Sequence, residues 1–312
     1  AAKAEKKAAR IAAEGIAKVA IDGNTAVVVE VNSETDFVAK NAIFQEFVQA
    51  VADKALTVDT EKAGDGEDVV SILDMKADLD DKILKIGEKI SIRRFEKVTA
   101  DVVASYIHGG GRIGVLVAGN GASDDAAKEA LTNIAMQIAA MNPQYISRDE
   151  ISADELAKMK EITIDSALND PFSLPKPVLS KLIEKAVAGV WSAEDVAIYE
   201  EKKSNMNFLP NFLSKEAKAQ LAEIACADKE EISGNKIFSG LVEGRISKQM
   251  KEICLLDQGY VKAEDGKQTV AAYLKSVNPA LKIAKFVRFE VGEGMEKKNE
   301  DFAAEVAKQM NV

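Results

Sequence analysis

Ile16-Ala17-Lys18-Val19-Ala20-Ile21, Asp22-Gly23-Asn24 and Ala26-Val27-Val28-Val29-Glu30-Val31 read as strand, turn and strand. Gly23 and Asn24 tolerate the positive φ that a hairpin turn needs. The nearly continuous valine run of the return strand points to burial on both faces, or to a twisted sheet under helices. Thr35-Asp36-Phe37-Val38-Ala39-Lys40-Asn41 follows, and beyond it Phe44, Phe47, Val48, Val51 and Leu56 recur at helical spacing. The stretch therefore opens a helix of about four turns. An acid beside an aromatic ring at a strand-to-helix turn has two readings. In one, Phe37 fills the core of the junction and Thr35 or Asp36 caps the helix, with Lys18 and Lys40 as solvated charge. In the other, Asp36 and Phe37 form a wedge for another protein, a flat ring to enter a pocket and a carboxylate to disturb the charge beside it.

Working outward, residues Ala1 to Glu14 are rich in alanine and lysine and are expected to be helical or frayed up to Gly15. Thr57 to Asp68, with two glycines and five acids, reads as a solvated loop of little chemical interest. Val69 to Ile86 is a second apolar-periodic segment, and Ile90 to Val98 alternates apolar and polar residues as an amphipathic strand does. The plan then restarts. Val102 to Ile107 reads as a strand, His108-Gly109-Gly110-Gly111 as a turn, Ile113 to Ala118 as a valine-rich return strand and Ala126 to Met141 as a helix. Lys285-Phe286-Val287-Arg288-Phe289-Glu290-Val291 echoes Ile92-Arg93-Arg94-Phe95-Glu96, which suggests an internal duplication.

The expected fold class is α+β: two duplicated antiparallel sheet-plus-helix subdomains, the second interrupted by a long helical insertion, with a C-terminal helix. The expected boundaries are 1–15 for a linker or helix remnant, 16–99 for the first subdomain, and 100–150 with 253–294 for the second. Residues 151–252 form the helical arm, broken at Asp170 to Pro177 and at Asn205 to Phe212, and 295–312 the C-terminal helix, with Phe302, Val306 and Met310 on one face.

Composition bounds the function. A chain of 312 residues with 47% hydrophobic content can bury more than one core. The net charge of -10, without basic clusters interleaved with aromatics, argues against nucleic acid and for a protein partner. Cys226 and Cys254 lack CxxC spacing, no window approaches a membrane span, and no apolar signal core opens the chain, so a reduced cytoplasmic setting is expected. A start at Ala1, inside a polar run, is expected to be a trimmed one. With His108 as the lone histidine, zinc sites and Ser-His-Asp triads lose their ligands and bases, and His108 reads as a turn residue or a contact. The glycine runs near Gly109 to Gly114 and Gly119 to Gly121 lack the GxxxxGK[ST] pattern and read as turns, as does Gly292-Glu293-Gly294. No cofactor, metal or catalytic residue is expected.

At Thr35 to Asn41 the sequence resembles the elongation factor Ts family, the nucleotide exchange factors of elongation factor Tu. Further matches follow in the family's order: Lys85-Ile86-Gly87-Glu88-Lys89-Ile90-Ser91-Ile92-Arg93-Arg94, Ser105-Tyr106-Ile107-His108-Gly109 with Gly111-Arg112-Ile113-Gly114-Val115-Leu116, Val242-Glu243-Gly244-Arg245, and Arg288-Phe289-Glu290-Val291-Gly292-Glu293-Gly294. The resemblance implies a non-enzymatic protein that binds elongation factor Tu and accelerates GDP release by stabilising its nucleotide-free state. It implies that Asp36 and Phe37 enter near the partner's Mg²⁺ site, and that Ile86, Gly87, His108 and Val261 match other partner-contacting positions. The family's N-terminal helical module has no counterpart, and Thr163 to about Lys236 is longer than the helical hairpin of many members. That arm, with Trp191 and Phe208 outside the duplicated core, is expected to make peripheral contacts with the partner or in a homodimer. Competing readings are a scaffold that binds the GTPase without exchange activity, or a nucleotide-binding enzyme.

Overall fold

The computed structural model describes residues 7–296. In chain order the first part holds β1 (Glu14–Asp22), β2 (Thr25–Ser33), the short helix α1 (Asp36–Ala39), α2 (Ala42–Thr57), β3 (Lys62–Ala63), α3 (Val69–Leu73), α4 (Lys76–Ile86) and β4 (Ser91–Thr99). Next come β5 (Val102–His108), β6 (Ile113–Asn120) and α5 (Asp125–Met141). The helical region contains α6 (Ala153–Asn169), α7 (Lys176–Gly189), α8 (Ala193–Lys202), α9 (Lys215–Ala227), α10 (Lys229–Ser233) and α11 (Lys236–Ile253). The chain then returns through α12 (Val270–Val277) to β7 (Lys282–Glu290).

Both sheets are antiparallel, ordered β1-β2-β4-β3 and β5-β6-β7. In each, a hairpin is followed by a long helix and a third strand that pairs with the hairpin's second strand, and the pairing carries an irregularity at Glu30/Val31 in one and Ala118/Gly119 in the other. The fold is α+β with the plan repeated.

The valine run is explained by what lies on each side of β2. Val27, Val29 and Val31 pack with Phe44, Phe47, Val48 and Val51 of α2. Ala26 and Val28, pointing the other way, pack with Val103, Leu116 and Val287 of the second sheet. Successive strand residues face opposite sides, so the order is helix, sheet, sheet, helix, with α5 and α12 covering the second sheet's outer face through Leu131, Ile134, Ile138, Val270 and Leu274. Burying both faces removes the need for alternation, and β4 shows the same effect. Arg93 and Glu96 are buried although the strand's sequence reads as half solvated, because the second sheet covers that face.

Three further readings are made more definite. Lys7 to Ala13 are not helical: the carbonyls of Ala8 and Arg10 accept the Lys89 ammonium at 2.7 and 2.9 Å. The loop Thr57 to Asp68 is not simply solvated, since Lys62–Ala63 pairs with Glu96 and Phe95 of β4 and Ala63 is buried. Val69 to Ile86 is two helices, separated at Asp74 with φ 52°. The expected helix Asn299 to Met310 lies outside the described residues.

Ser147–Cys254 forms a second compact unit with its own core, built on Leu168, Leu182, Ile183, Leu209, Leu221 and Phe238. Trp191 belongs to that core, its indole N–H donating to the Ala217 carbonyl at 2.9 Å, so it is not available as a contact residue. Phe208 is 58% exposed.

Candidate functional site

Antiparallel pairing decides which loops meet. Asn32 near the end of β2 lies opposite Ser91 at the start of β4. The chain leaving β2 is therefore beside the chain entering β4, although more than fifty residues separate the two in sequence.

Leaving β2, the backbone turns at Ser33, whose hydroxyl donates to the Thr35 carbonyl at 2.9 Å. Thr35 is extended (φ -124°, ψ 155°) and caps α1, its Oγ1 accepting from the Val38 N–H at 3.3 Å. After one turn Asn41 caps again, accepting from the N–H groups of Ile43 and Phe44 at 2.9 and 3.3 Å. Ser, Thr, Asp and Asn side chains satisfy helix N–H groups that lack intrahelical partners, for about 1 kcal/mol each. Two caps in succession fix α1 between β2 and α2. The capping part of the first reading therefore holds for Thr35, and its buried ring does not: Val38 and Ala39 take the inward positions, while Phe37 is 81% exposed. Asp36 is exposed beside it, with no hydrogen bond or ion pair among the described residues.

The turn before β4 supports this arrangement. Gly87, at φ 87°, closes α4 in the left-handed conformation that glycine adopts without strain. Glu88 then reaches across: its Oε2 accepts from the Glu34 and Thr35 N–H groups, both at 3.1 Å, and its Oε1 from the Thr35 hydroxyl at 2.7 Å. Lys7 donates to the Gly87 carbonyl, and Arg10 lies 3.5 Å from Glu34, so the segment before β1 ties both turns from outside. Ile86 is half-buried against the first core. Asp36, Phe37, Ile86 and Gly87 thus share one joined pair of turns.

His108 and Val261 belong to the second sheet's half. His108 ends β5, exposed, sharing a 2.9 Å hydrogen bond with the Tyr106 hydroxyl. Val261 is 50% exposed, and its N–H donates to Gln137 Oε1 of α5 at 2.8 Å. Neighbouring Tyr260 stacks on Tyr273 at 4.1 Å, and burial, with a hydrogen bond to Tyr273, pushes the Tyr260 phenol up.

A buried charge network was not legible in the sequence. Glu30 is 0% exposed and accepts from Arg93 at 3.2 Å, Arg94 at 2.6 Å, Asn32 at 3.0 Å and the Gly292 N–H at 2.8 Å. Arg93 also forks onto Asp65 at 3.1 and 3.0 Å. Arg94 pairs with Glu293 at 2.7 Å and lies 4.0 Å over the Phe289 ring. The hydrogen bond from Arg93 holds the Asp65 carboxyl below the usual carboxylate range, against a smaller opposing effect of burial. These residues fasten the first sheet to the end of β7. No local pattern announces it: the register of β2 on β4 shifts at Glu30/Val31 and leaves Arg93 as an extra residue of β4, which brings the adjacent Arg93 and Arg94 to the same carboxylate.

Among the described residues no group of three His, Cys, Asp or Glu side chains could hold a metal ion, and no helix is long and apolar enough to cross a membrane. What the site offers is a rigidly mounted apolar ring with a carboxylate beside it. Docking such a ring into a pocket gains about 1.5–3 kcal/mol from burial, with little ordering cost because the turn is already fixed.

A family model described as elongation factor TS matches residues 34–293. A Clostridioides difficile (strain 630) protein named elongation factor Ts is 39% identical over 316 residues, covering 99% of this chain and 84% of its own. A protein of the same name from Limosilactobacillus reuteri (strain DSM 20016) is 36% identical over 317 residues, with the same 99% and 84% coverage. The match begins at the turn that mounts Phe37 and ends at the glutamate that pairs with Arg94. The chain belongs to the elongation factor Ts family.

Proposed function

We propose that this chain binds elongation factor Tu and accelerates GDP release by stabilising its nucleotide-free state, with Asp36 and Phe37 as the wedge near the partner's Mg²⁺ site. Ile86, Gly87, His108 and Val261 make the further contacts. The observation that carries the reading is the mounting of Phe37, a ring 81% exposed on a turn capped at Thr35 and again at Asn41. Folding a chain with so large an apolar surface in water has no stability benefit, and a fixed exposed ring is what a docking anchor requires.

The mechanism is a linkage, with no covalent step. An exchange factor that weakens GDP on the partner is weakened by GDP to the same extent, and each 1.4 kcal/mol of that coupling is about tenfold in affinity. Phe37 supplies apolar area that is buried on docking. Asp36, whose carboxylate is uncommitted in the free protein, brings negative charge toward the metal and phosphates and so disfavours the nucleotide-bound state.

The test is stopped-flow release of a fluorescent GDP from elongation factor Tu. Phe37→Ala is expected to slow factor-stimulated release by about tenfold or more, while the variant's thermal unfolding stays within about 0.5 kcal/mol of the parent, as for other exposed positions. Release rates unchanged by the substitution would sink the reading.

A further inference from the structure

We infer that Glu88 is the positioning residue of this wedge, an inference that rests on the exchange reading above. Its carboxylate forms no ion pair among the described residues. Both oxygens are spent on the turn that carries Asp36 and Phe37: Oε2 on the Glu34 and Thr35 N–H groups, Oε1 on the Thr35 hydroxyl. The Thr35 hydroxyl is thereby oriented. Having given its hydrogen to Glu88, it presents a lone pair to the Val38 N–H, which is the bond that caps α1. The chain of bonds runs from Glu88 to Thr35 to the helix that holds Phe37.

The placement follows from the fold. The Asn32–Ser91 pairing sets the two turns side by side, and the left-handed Gly87 turns the chain so that Glu88 follows the end of α4 immediately. Charge-assisted hydrogen bonds to backbone N–H groups are about twice as strong as neutral ones, and the Glu34 and Thr35 N–H groups have no other partner among the described residues. Without the carboxylate, Glu34 and Thr35 N–H groups turn to solvent, the Thr35 hydroxyl rotates freely, and the ring on α1 samples orientations that do not dock. Binding then has to order the turn, a cost that the mounted wedge avoids.

The experiment compares stimulated GDP release for Phe37→Ala, Glu88→Ala, the double variant, Glu88→Gln and Thr35→Ser, each checked for fold by circular dichroism and thermal unfolding. Glu88→Ala is expected to slow release about fivefold, the equivalent of about 1 kcal/mol at 1.4 kcal/mol per tenfold. Glu88→Gln keeps an acceptor for the two N–H groups and loses the one for the hydroxyl, so its rate falls between. Thr35→Ser keeps the hydroxyl relay and stays within about twofold of the parent. The deciding measurement is the double variant: a residue acting through the turn has only Asp36 left to position once the ring is gone, so Glu88→Ala adds less than its own slowing to Phe37→Ala, whereas a general loss of stability or an independent contact adds in full. Full additivity, or a Glu88→Ala variant as fast as the parent while Phe37→Ala is slow, overturns the inference and leaves the wedge standing. A neutral Phe37→Ala overturns the wedge itself.

Discussion

The two sheets share a plan and differ at the connection from the hairpin to the long helix. In the first, β2 leads to α2 through a turn with its own short helix, two caps and an exposed ring. In the second, β6 leads to α5 through Gly121, Ala122, Ser123 and the cap Asp124, which accepts from the Ala127 N–H at 3.0 Å. Each connection is held by a carboxylate from elsewhere in its half, Glu88 in one and Asp101 in the other, where Asp101 accepts from the Gly121 N–H at 3.0 Å. Only the first carries an apolar side chain into solvent. The repeated plan supplies the mounting, and the inserted residues between strand and helix supply what is mounted.

That comparison can be broken most severely where the halves are fastened. Glu30 faces the second sheet with Arg93, Arg94 and the Gly292 N–H around it. Removing one member of a buried ionic group leaves the others uncompensated, at about 3–5 kcal/mol, and Asp65 and Glu293 retain part of the compensation here. Glu30→Ala is expected to cost about 3 kcal/mol in urea unfolding, near the lower end of that range. A loss below about 1 kcal/mol would mean that the halves are held by the apolar contacts of Val28, Leu116 and Val287 alone.

A smaller effect separates the two left-handed glycines that shape the connections. Gly121 has φ 93°, and a Cβ there would lie 2.0 Å from the Ala280 carbonyl oxygen. Gly87 has φ 87° and open space around it, with the Lys7 ammonium 3.9 Å away. Strain alone costs about 1–3 kcal/mol for a residue held in a sparsely populated region. Gly87→Ala is expected near the bottom of that range and Gly121→Ala at about 2 kcal/mol or beyond, measured by thermal unfolding; equal losses would show that the backbone at Ala280 yields.

The caps give the sharpest functional contrast at still lower energy. Thr35→Ala and Asp124→Ala each remove one cap bond and are each expected to cost about 1 kcal/mol of stability. Thr35→Ala alone should slow stimulated GDP release. If both variants slow it equally, the connection is not special and the wedge reading loses its structural basis.

How much of this was legible follows from range in sequence. The hairpins and both long helices announce themselves through Gly23, through the valine runs and through Phe44, Phe47 and Val51, because strand and helix periods are local properties. Thr35 was legible as one of two candidate caps, with Asp36, for the same reason, whereas the second cap at Asn41 was not anticipated because α1 and α2 read as one helix. Glu88 was not legible as a partner of Thr35, since the bond depends on a strand register that no local pattern states. Nor was the burial of Arg93 and Glu96, because period-two alternation shows that a strand has two faces and not what covers them. The two-residue strand Lys62–Ala63 is too short to have a period, and the break at Asp74 falls inside a segment whose apolar spacing runs on through it. The Ser147–Cys254 unit was legible as helical and its breaks only in part: Pro171 and the Asn205 to Phe212 stretch mark two of them, whereas the turns at Trp191 and Gly234 carry weaker signals.

The smallest effect concerns Asp65, which pairs with Arg93 from the first half as Glu293 pairs with Arg94 from the second. Its hydrogen bonds from Arg93 hold its carboxyl below the ordinary aspartate value of about 3.9. A carboxyl whose pKa is lower in the folded than in the unfolded state stabilises the fold above the unfolded value, and that contribution is lost as pH falls through the folded value. The side chain is 71% exposed, so solvent screens the interaction and its worth at neutral pH is at most about 1 kcal/mol. Asp65→Asn is therefore expected to lower stability slightly at pH 7, and the gap between the two proteins should begin to close below about pH 4, where the aspartate of the unfolded parent protonates first, and vanish as the folded carboxyl follows at lower pH. Urea unfolding of both proteins from neutral to acid pH measures it. A gap that persists unchanged into acid would assign the Asp65 contribution to hydrogen bonding that an amide cannot reproduce. A gap that opens toward acid would contradict the lowered carboxyl. Within the network the expected magnitudes, from Glu30 to Asp65, follow how completely each group is removed from water, and Asp65, at 71% exposed against 0% for Glu30, should respond least.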